Sequence, residues 1–270
     1  MDTLCGLPKP VLTPLLEEDG VWIKAEGRQK TGSAKYRLVY AKISAALEKG
    51  GIDSRTLLVE ASSGSTGIAL AYAGRKLGCP VEIHALESAS PEKCDKIRLE
   101  GAGLVLHPAR TSPKIVFDLI SRLLRQGAAW HLNQYDRTSF PDSYQALALE
   151  LIRQHRRKGF SPPTRFVCPV GTGGLVQGVG SHLRRAFPEI EVISVEPETG
   201  SVIDGMRNRD EHSMGDADPF DPAFPDRRMT VSPPRGSARV QGISLGESAT
   251  AIFRLIRKKG WKKTLMIAPD

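Results

Sequence analysis

The chain has 270 residues, 40% of them hydrophobic and 25% charged, which is enough to bury one large or two modest cores and too balanced for a fibrous or disordered protein. Its formal net charge of +8 at pH 7 would suit a polyanion, but the cations gather where helices are expected to end. Arg153, Arg156, Arg157 and Lys158, then Arg184 and Arg185, then Arg257, Lys258, Lys259, Lys262 and Lys263 complement helix dipoles, so no nucleic-acid partner is expected.

No apolar run reaches the roughly 20 residues that cross a bilayer, and Met1 to Cys5 lacks the basic, then apolar, start of a leader. A cytoplasmic protein with no membrane partner is expected. Cys5, Cys79, Cys94 and Cys168 are widely spaced without a CxxC pair, so neither a metal site nor a redox pair is expected.

In chain order, β-branched runs at 21–23, 56–59, 81–84, 104–106, 166–168, 192–195 and 264–267 predict strands. Val39, Ile43, Ala46 and Leu47 form one helical stripe, and Ile115, Leu119 and Leu123 with Ile120 and Leu124 form another; both are expected to be core. Strands alternating with helices predict an α/β fold with largely parallel sheets. Residues 199–239 carry Pro219, Pro222, Pro225, Pro233 and Pro234 and little apolar periodicity, so a long loop or lid is expected there.

Three motifs carry chemistry. The first, Thr31-Gly32-Ser33-Ala34-Lys35-Tyr36-Arg37, sets an amine at a helix start, where the positive helix end and partial desolvation favour the neutral, nucleophilic form. The second, Glu60-Ala61-Ser62-Ser63-Gly64-Ser65-Thr66-Gly67, joins a strand to a helix through a hydroxyl-rich turn. Free N–H groups at such a turn suit a carboxylate, although a simple capped turn would look the same. The third, Cys168-Pro169-Val170-Gly171-Thr172-Gly173-Gly174-Leu175-Val176, repeats the arrangement with three glycines, which lets the backbone wrap a phosphate. It is not a P-loop, since Gly-Lys-Ser/Thr is absent, nor a dinucleotide turn, since Val176 stands where the third glycine belongs. An amine with two anion sockets is what a Schiff-base enzyme needs to hold an aldehyde cofactor and an amino acid.

In this order the motifs resemble those of the fold-type II pyridoxal-phosphate enzymes, in particular the cysteine synthase (O-acetylserine sulfhydrylase) and cystathionine beta-synthase-like family, over nearly the whole chain. Supporting similarities are Asn133-Gln134-Tyr135, Val195-Glu196-Pro197 and Gly242-Ile243-Ser244. The resemblance implies two three-layer αβα domains, a larger cofactor-binding one from 1–35 and 137–270 and a smaller mobile one from 36–136. It implies pyridoxal 5'-phosphate on Lys35, which is also the catalytic base, with Ser65, Gly171, Thr172, Gly173, Gly174 and Leu175 at the cofactor. Ser62, Ser63, Gly64, Ser65, Thr66 and Gln134 would bind the amino-acid substrate.

The implied activity is β-replacement on O-acetylserine or O-phosphoserine through an aminoacrylate, in amino-acid biosynthesis, by a homodimer. Alternatives are β-elimination of the dehydratase or desulfhydrase kind, a 2,3-diaminopropionate-type synthesis, and a cofactor-binding relative with weak catalysis. The departures are specific. Gln29, Lys30 and Tyr36 replace the family's Asn, Pro and Asp, Ser65 replaces an Asn, and Leu175 replaces a Thr. The family continues Pro-Asp-Ser-Gly, with that Ser or an equivalent meeting the pyridine nitrogen, where this sequence stops at Asp270, so the contact to that nitrogen is left open.

Overall fold

The computed structural model of the chain describes residues 3–4, 6–127, 129–211 and 218–270, with side chains from Gly6 onward. Cys5 and residues 212–217 of the proline-rich segment lie outside them. In chain order the elements are β1 (Thr3–Leu4), β2 (Leu7–Pro8), β3 (Leu15–Glu18), β4 (Val21–Ala25), α1 (Lys35–Glu48), β5 (Leu57–Ala61) and α2 (Ser65–Leu77). There follow β6 (Val81–Leu86), α3 (Pro91–Leu99), β7 (Gly103–His107), α4 (Pro113–Arg125), β8 (Ala129–His131) and α5 (Phe140–Arg157). The rest is β9 (Arg165–Pro169), α6 (Gly174–Ala186), β10 (Glu191–Pro197), β11 (Arg227–Val231), β12 (Arg239–Val240), β13 (Ile243–Ser244), α7 (Glu247–Lys258) and β14 (Thr264–Ala268). Among the described residues no helix is long and apolar enough to cross a membrane.

Contacts divide the chain into two units. The first holds Lys35–Gln134 with Pro10 and the described residues before it; the second holds Val11–Ala34 and Tyr135–Asp270.

In the first unit β7, β6, β5 and β8 form a parallel sheet in that order. Successive strand residues face opposite sides, so Leu58 joins Tyr36, Val39, Ile43, Leu70, Ile83 and Ile97 in one core, while Val59 meets Val116 and Ile120 of α4 on the other side. Of the expected α4 stripe, Ile120 is buried and Leu123 packs on it, and the rest is corrected. Ile115 and Leu124 are exposed, and the buried line runs through Val116 and Ile120. The helix lies over a narrow sheet, so only one ridge of its broad apolar surface is covered.

In the second unit β11, β10, β9, β14, β4 and β3 form a sheet that is parallel except for β3 against β4. One face buries Ile23, Val167, Val195 and Met266 with Ile252 and Ile256 of α7. The strand β11 corrects part of the expected loop at 199–239. Arg227 and Arg228 find Glu191 and Glu196 of β10 at 2.6 and 3.1 Å, and Met229 and Val231 pack on the core. Its charged first half hid a strand that is apolar only beyond it.

On the other face α5 packs on α6. A Cβ on Gly178 would lie 2.6 Å from the Phe140 carbonyl oxygen and 2.7 Å from the Tyr144 ring, so the helices meet at a distance only glycine permits. Gly178→Ala should therefore destabilise the protein by about 1–3 kcal/mol through overpacking, despite alanine's better helix propensity. Urea unfolding with an unchanged m-value would show it.

His155 of α5 is 1% exposed and sits edge-on to Trp22 at 4.6 Å, with Phe160 and Phe187 both at 5.5 Å. Burial, with Arg156 nearby, holds its pKa below the ordinary 6.5. Burial does the same to His84 against the opposing pull of Glu82. The unfolded chain takes up these protons near pH 6.5 while the folded chain resists them until a lower pH. Stability should be independent of these groups above 6.5 and should fall below it, levelling off once the folded histidines titrate. Melting temperatures taken on either side of pH 6.5 test this, and His155→Leu should weaken the acid-side loss.

Candidate active site

Lys35 is the first residue of α1 and is half-buried. The chain passes from the second unit to the first at this point. Ala34 is fixed by donating its N–H to the Pro269 carbonyl at 2.8 Å, just beyond β14. Tyr36, where the family carries Asp, is fully buried, donates its hydroxyl to the Pro8 carbonyl and meets Tyr72 edge-on at 5.5 Å. Burial, with Tyr72 and Tyr40 adding to it, holds the phenol well above its ordinary 10.0, so it stays a donor. The departure at Tyr36 thus anchors β2 to α1. Gln29 has a comparable role in the second unit. Its side chain accepts from Val11 N–H at 3.0 Å and donates to the Val11 carbonyl at 2.7 Å.

The turn before α2 is built from inside. Ser62 is buried, and its hydroxyl accepts the N–H groups of Gly67 at 3.0 Å and Gly64 at 3.3 Å. Thr66 donates to Gln134 Oε1 at 2.6 Å, and Gln134 Nε2 donates to the Ala61 carbonyl at 2.9 Å. Ser63 is exposed and Ser65 half-buried at the head of the helix. Ser62, Ser63, Gly64, Ser65, Thr66 and Gln134 therefore stand together as one structural element.

Glu60, which the sequence reading did not single out, holds that element in place. It is fully buried, accepts from Gln134 N–H at 3.0 Å and Ala61 N–H at 2.8 Å, and lies 3.5 Å from His131. A carboxylate directly after the apolar run Leu57-Leu58-Val59, still within the strand, was the signal available.

In the second unit the Gly-rich turn links β9 to α6. Gly173 precedes the helix with φ +87° and no side-chain cap, a conformation L side chains rarely adopt. A Cβ there would also lie 2.6 Å from the Phe220 ring, and one on Gly171 would lie 2.9 Å from the Gly205 carbonyl oxygen. Thr172 and Leu175 are buried.

The cap residue is a glycine and brings no capping side chain, so the first N–H groups of the helix, which lack intrahelical partners, fit a phosphate. Leu175 brings no hydroxyl, so Thr172 and the backbone carry the binding capacity. Arg209, Phe220 and Gln177, none of them anticipated, surround this turn. Among the described residues no cluster of His, Cys, Asp and Glu could hold a metal ion. Cys79, Cys94 and Cys168 are buried.

A family model described as pyridoxal-phosphate dependent enzyme matches residues 7–264, and the chain belongs to that family, whose cofactor is pyridoxal phosphate. Cysteine synthase of Staphylococcus aureus (strain N315) is 30% identical over 203 residues, 74% of this chain and 64% of the relative. The chain thus spans less than two thirds of that relative's length. Cysteine synthase of Aquifex aeolicus is 30% identical over 276 residues, covering 94% of this chain and 81% of that one. The solved structure of O-ureido-L-serine synthase superposes with a TM-score of 0.81 at 26% identity, covering 96% of this chain and 88% of that one.

Proposed function

We propose that the protein catalyses β-replacement on an activated serine, O-acetylserine or O-phosphoserine, with sulfide or another small nucleophile. The observation that carries this reading is the Ser62–Thr66 turn, an anion socket tied to Gln134, in a chain 30% identical to a cysteine synthase over 94% of its length. Bound pyridoxal phosphate supplies the electron-withdrawing ring that makes the α-proton of an amino acid acidic.

The rest is the work of this chain's residues. Lys35 Nζ would hold the cofactor's aldehyde carbon and, as a free amine, would take the α-proton of the substrate. The N–H groups of Gly171, Thr172, Gly173, Gly174 and Leu175 would bind the phosphate, and Ser65 would lie at the cofactor. Ser62, Ser63, Gly64, Thr66 and Gln134 orient the substrate carboxylate at the positive start of α2. The substrate-carboxylate turn belongs to the smaller domain, 36–136. The protein acts in the cytoplasm as a homodimer, without a nucleic-acid partner.

The test is the visible absorption of the purified protein with added pyridoxal phosphate, before and after O-acetylserine, with products analysed once sulfide is supplied. A band that needs Lys35, responds to O-acetylserine and accompanies a new β-substituted alanine supports the reading. Pyruvate and ammonia in place of that product would turn it to β-elimination, and a band indifferent to the substrate would turn it to a cofactor-binding protein without this chemistry.

A further inference from the structure

Two segments without motif character wrap the outside of the Gly-rich turn, and one buried arginine joins them. Residues 205–209 run beside the turn. Arg207 N–H donates to the Val170 carbonyl at 2.8 Å, and Arg209, 6% exposed, donates from Nη1 to the Gly171 carbonyl at 3.3 Å. The Arg209 backbone N–H is held by Glu196 at 2.8 Å, and Glu196 is gripped from the other side by Arg228 at 3.1 and 3.3 Å.

The Arg209 guanidinium also pairs with Asp218, where the second segment starts. From there Gln177 of α6 donates to the Pro219 carbonyl at 3.1 Å and accepts from Asp221 N–H at 2.6 Å. This pins Phe220 against Gly173 and beneath Arg209, whose guanidinium carbon is 5.7 Å from the ring centroid.

We propose that Arg209 is a positioning residue for the cofactor phosphate. In a trans peptide the carbonyl and the following N–H point in opposite directions, and no peptide bond among the described residues is cis. Holding the Gly171 carbonyl on the guanidinium therefore turns the Thr172 N–H to the opposite side of the peptide, away from Arg209. Were that peptide to flip, a carbonyl oxygen would face the phosphate in place of a donor. The orientation matters more here because Leu175 has no hydroxyl to contribute. The Asp218 pair and the Phe220 contact keep the guanidinium from swinging away.

The inference rests on the turn being the phosphate site, and the test separates the two. Pyridoxal phosphate and phosphate-free pyridoxal are titrated into the apo-protein, its Arg209→Gln and Arg209→Lys variants, with binding read by absorption and fluorescence and folding by melting temperature. Arg209→Gln should weaken pyridoxal phosphate by about tenfold or more and leave pyridoxal unchanged, with Arg209→Lys between the two. If Arg209→Gln does not fold, the lysine variant alone decides by the same ratio. Equal loss for both ligands, or no loss for either, overturns the role of Arg209. A parent protein that binds pyridoxal phosphate no better than pyridoxal overturns the phosphate site itself.

Discussion

Lys35→Ala should leave a folded protein whose turnover of O-acetylserine and sulfide is lower by on the order of 10²–10⁴-fold, the range covered by loss of a positioned proton-transfer group. The fold should survive because α1 is held by other residues. Tyr36, Leu38, Val39 and Ile43 are its buried anchors, Lys35 is half-buried at the end of the helix, and alanine is the best helix former. The melting temperature should therefore stay near that of the parent while the visible band of the cofactor-loaded protein disappears.

Lys35→Arg separates charge from chemistry. A guanidinium keeps the positive charge but does not lose its proton near neutral pH, so it should be as inactive as alanine. Substantial turnover by either variant, with the band retained, would remove Lys35 from the reaction and leave the helix start a structural feature only.

What the sequence made legible was whatever is local. A β-branched run followed by a glycine turn and an amphipathic helix uses only neighbours in the chain, so the turns at Ser62–Thr66 and Gly171–Leu175 could be located with the elements on either side. The strands at 57–61, 81–86, 165–169 and 191–197 were legible for the same reason. Short or charged strands were not. β3, β8 and β11 carry Leu15-Leu16-Glu17-Glu18, Ala129-Trp130-His131 and Arg227-Arg228-Met229-Thr230-Val231. Each is a strand because of the neighbour it pairs with.

The supports of the proposed site were hidden in another way. Glu60 and Gln134 are 74 residues apart, Arg209 and Gly171 are 38 apart, and no periodicity links such pairs. Tyr36 and Gln29 read as departures from a family pattern, and only their contacts with Pro8 and Val11 give them a purpose.

The largest effect on stability should come from a residue that the sequence offers as part of an ordinary strand. Lys24 of β4 is fully buried, as is Glu26, while Glu150 of α5 is 7% exposed. The ammonium donates to the Thr13 carbonyl at 2.6 Å and to Gln154 Oε1 at 2.9 Å, pairs with Glu150, and lies 4.0 Å from Glu26. Thr13 closes the group by donating its N–H to Glu150 at 3.0 Å. One cation thus holds two buried carboxylates, and the second unit is stitched from β4 to α5 across 126 residues of sequence.

Lys24→Met keeps the volume and removes the charge, taking one buried cation away from two buried carboxylates. That should cost about 3–5 kcal/mol, a large part of the roughly 5–15 kcal/mol that holds a typical protein folded. The cost comes from the carboxylates that stay buried, since a well-packed apolar replacement of a whole buried ion pair is often close to neutral. Lys24→Met combined with Glu150→Gln should therefore recover part of the loss: the glutamine oxygen can still accept from Thr13 N–H, and one of the buried charges is gone. Urea unfolding of the two variants and the parent measures this directly, and a single variant within about 1 kcal/mol of the parent would mean that relaxation or water already solvates the group. A double variant less stable than the single one would instead place the stabilisation in the Glu150 contacts with Thr13, with Lys24 needed only to neutralise them.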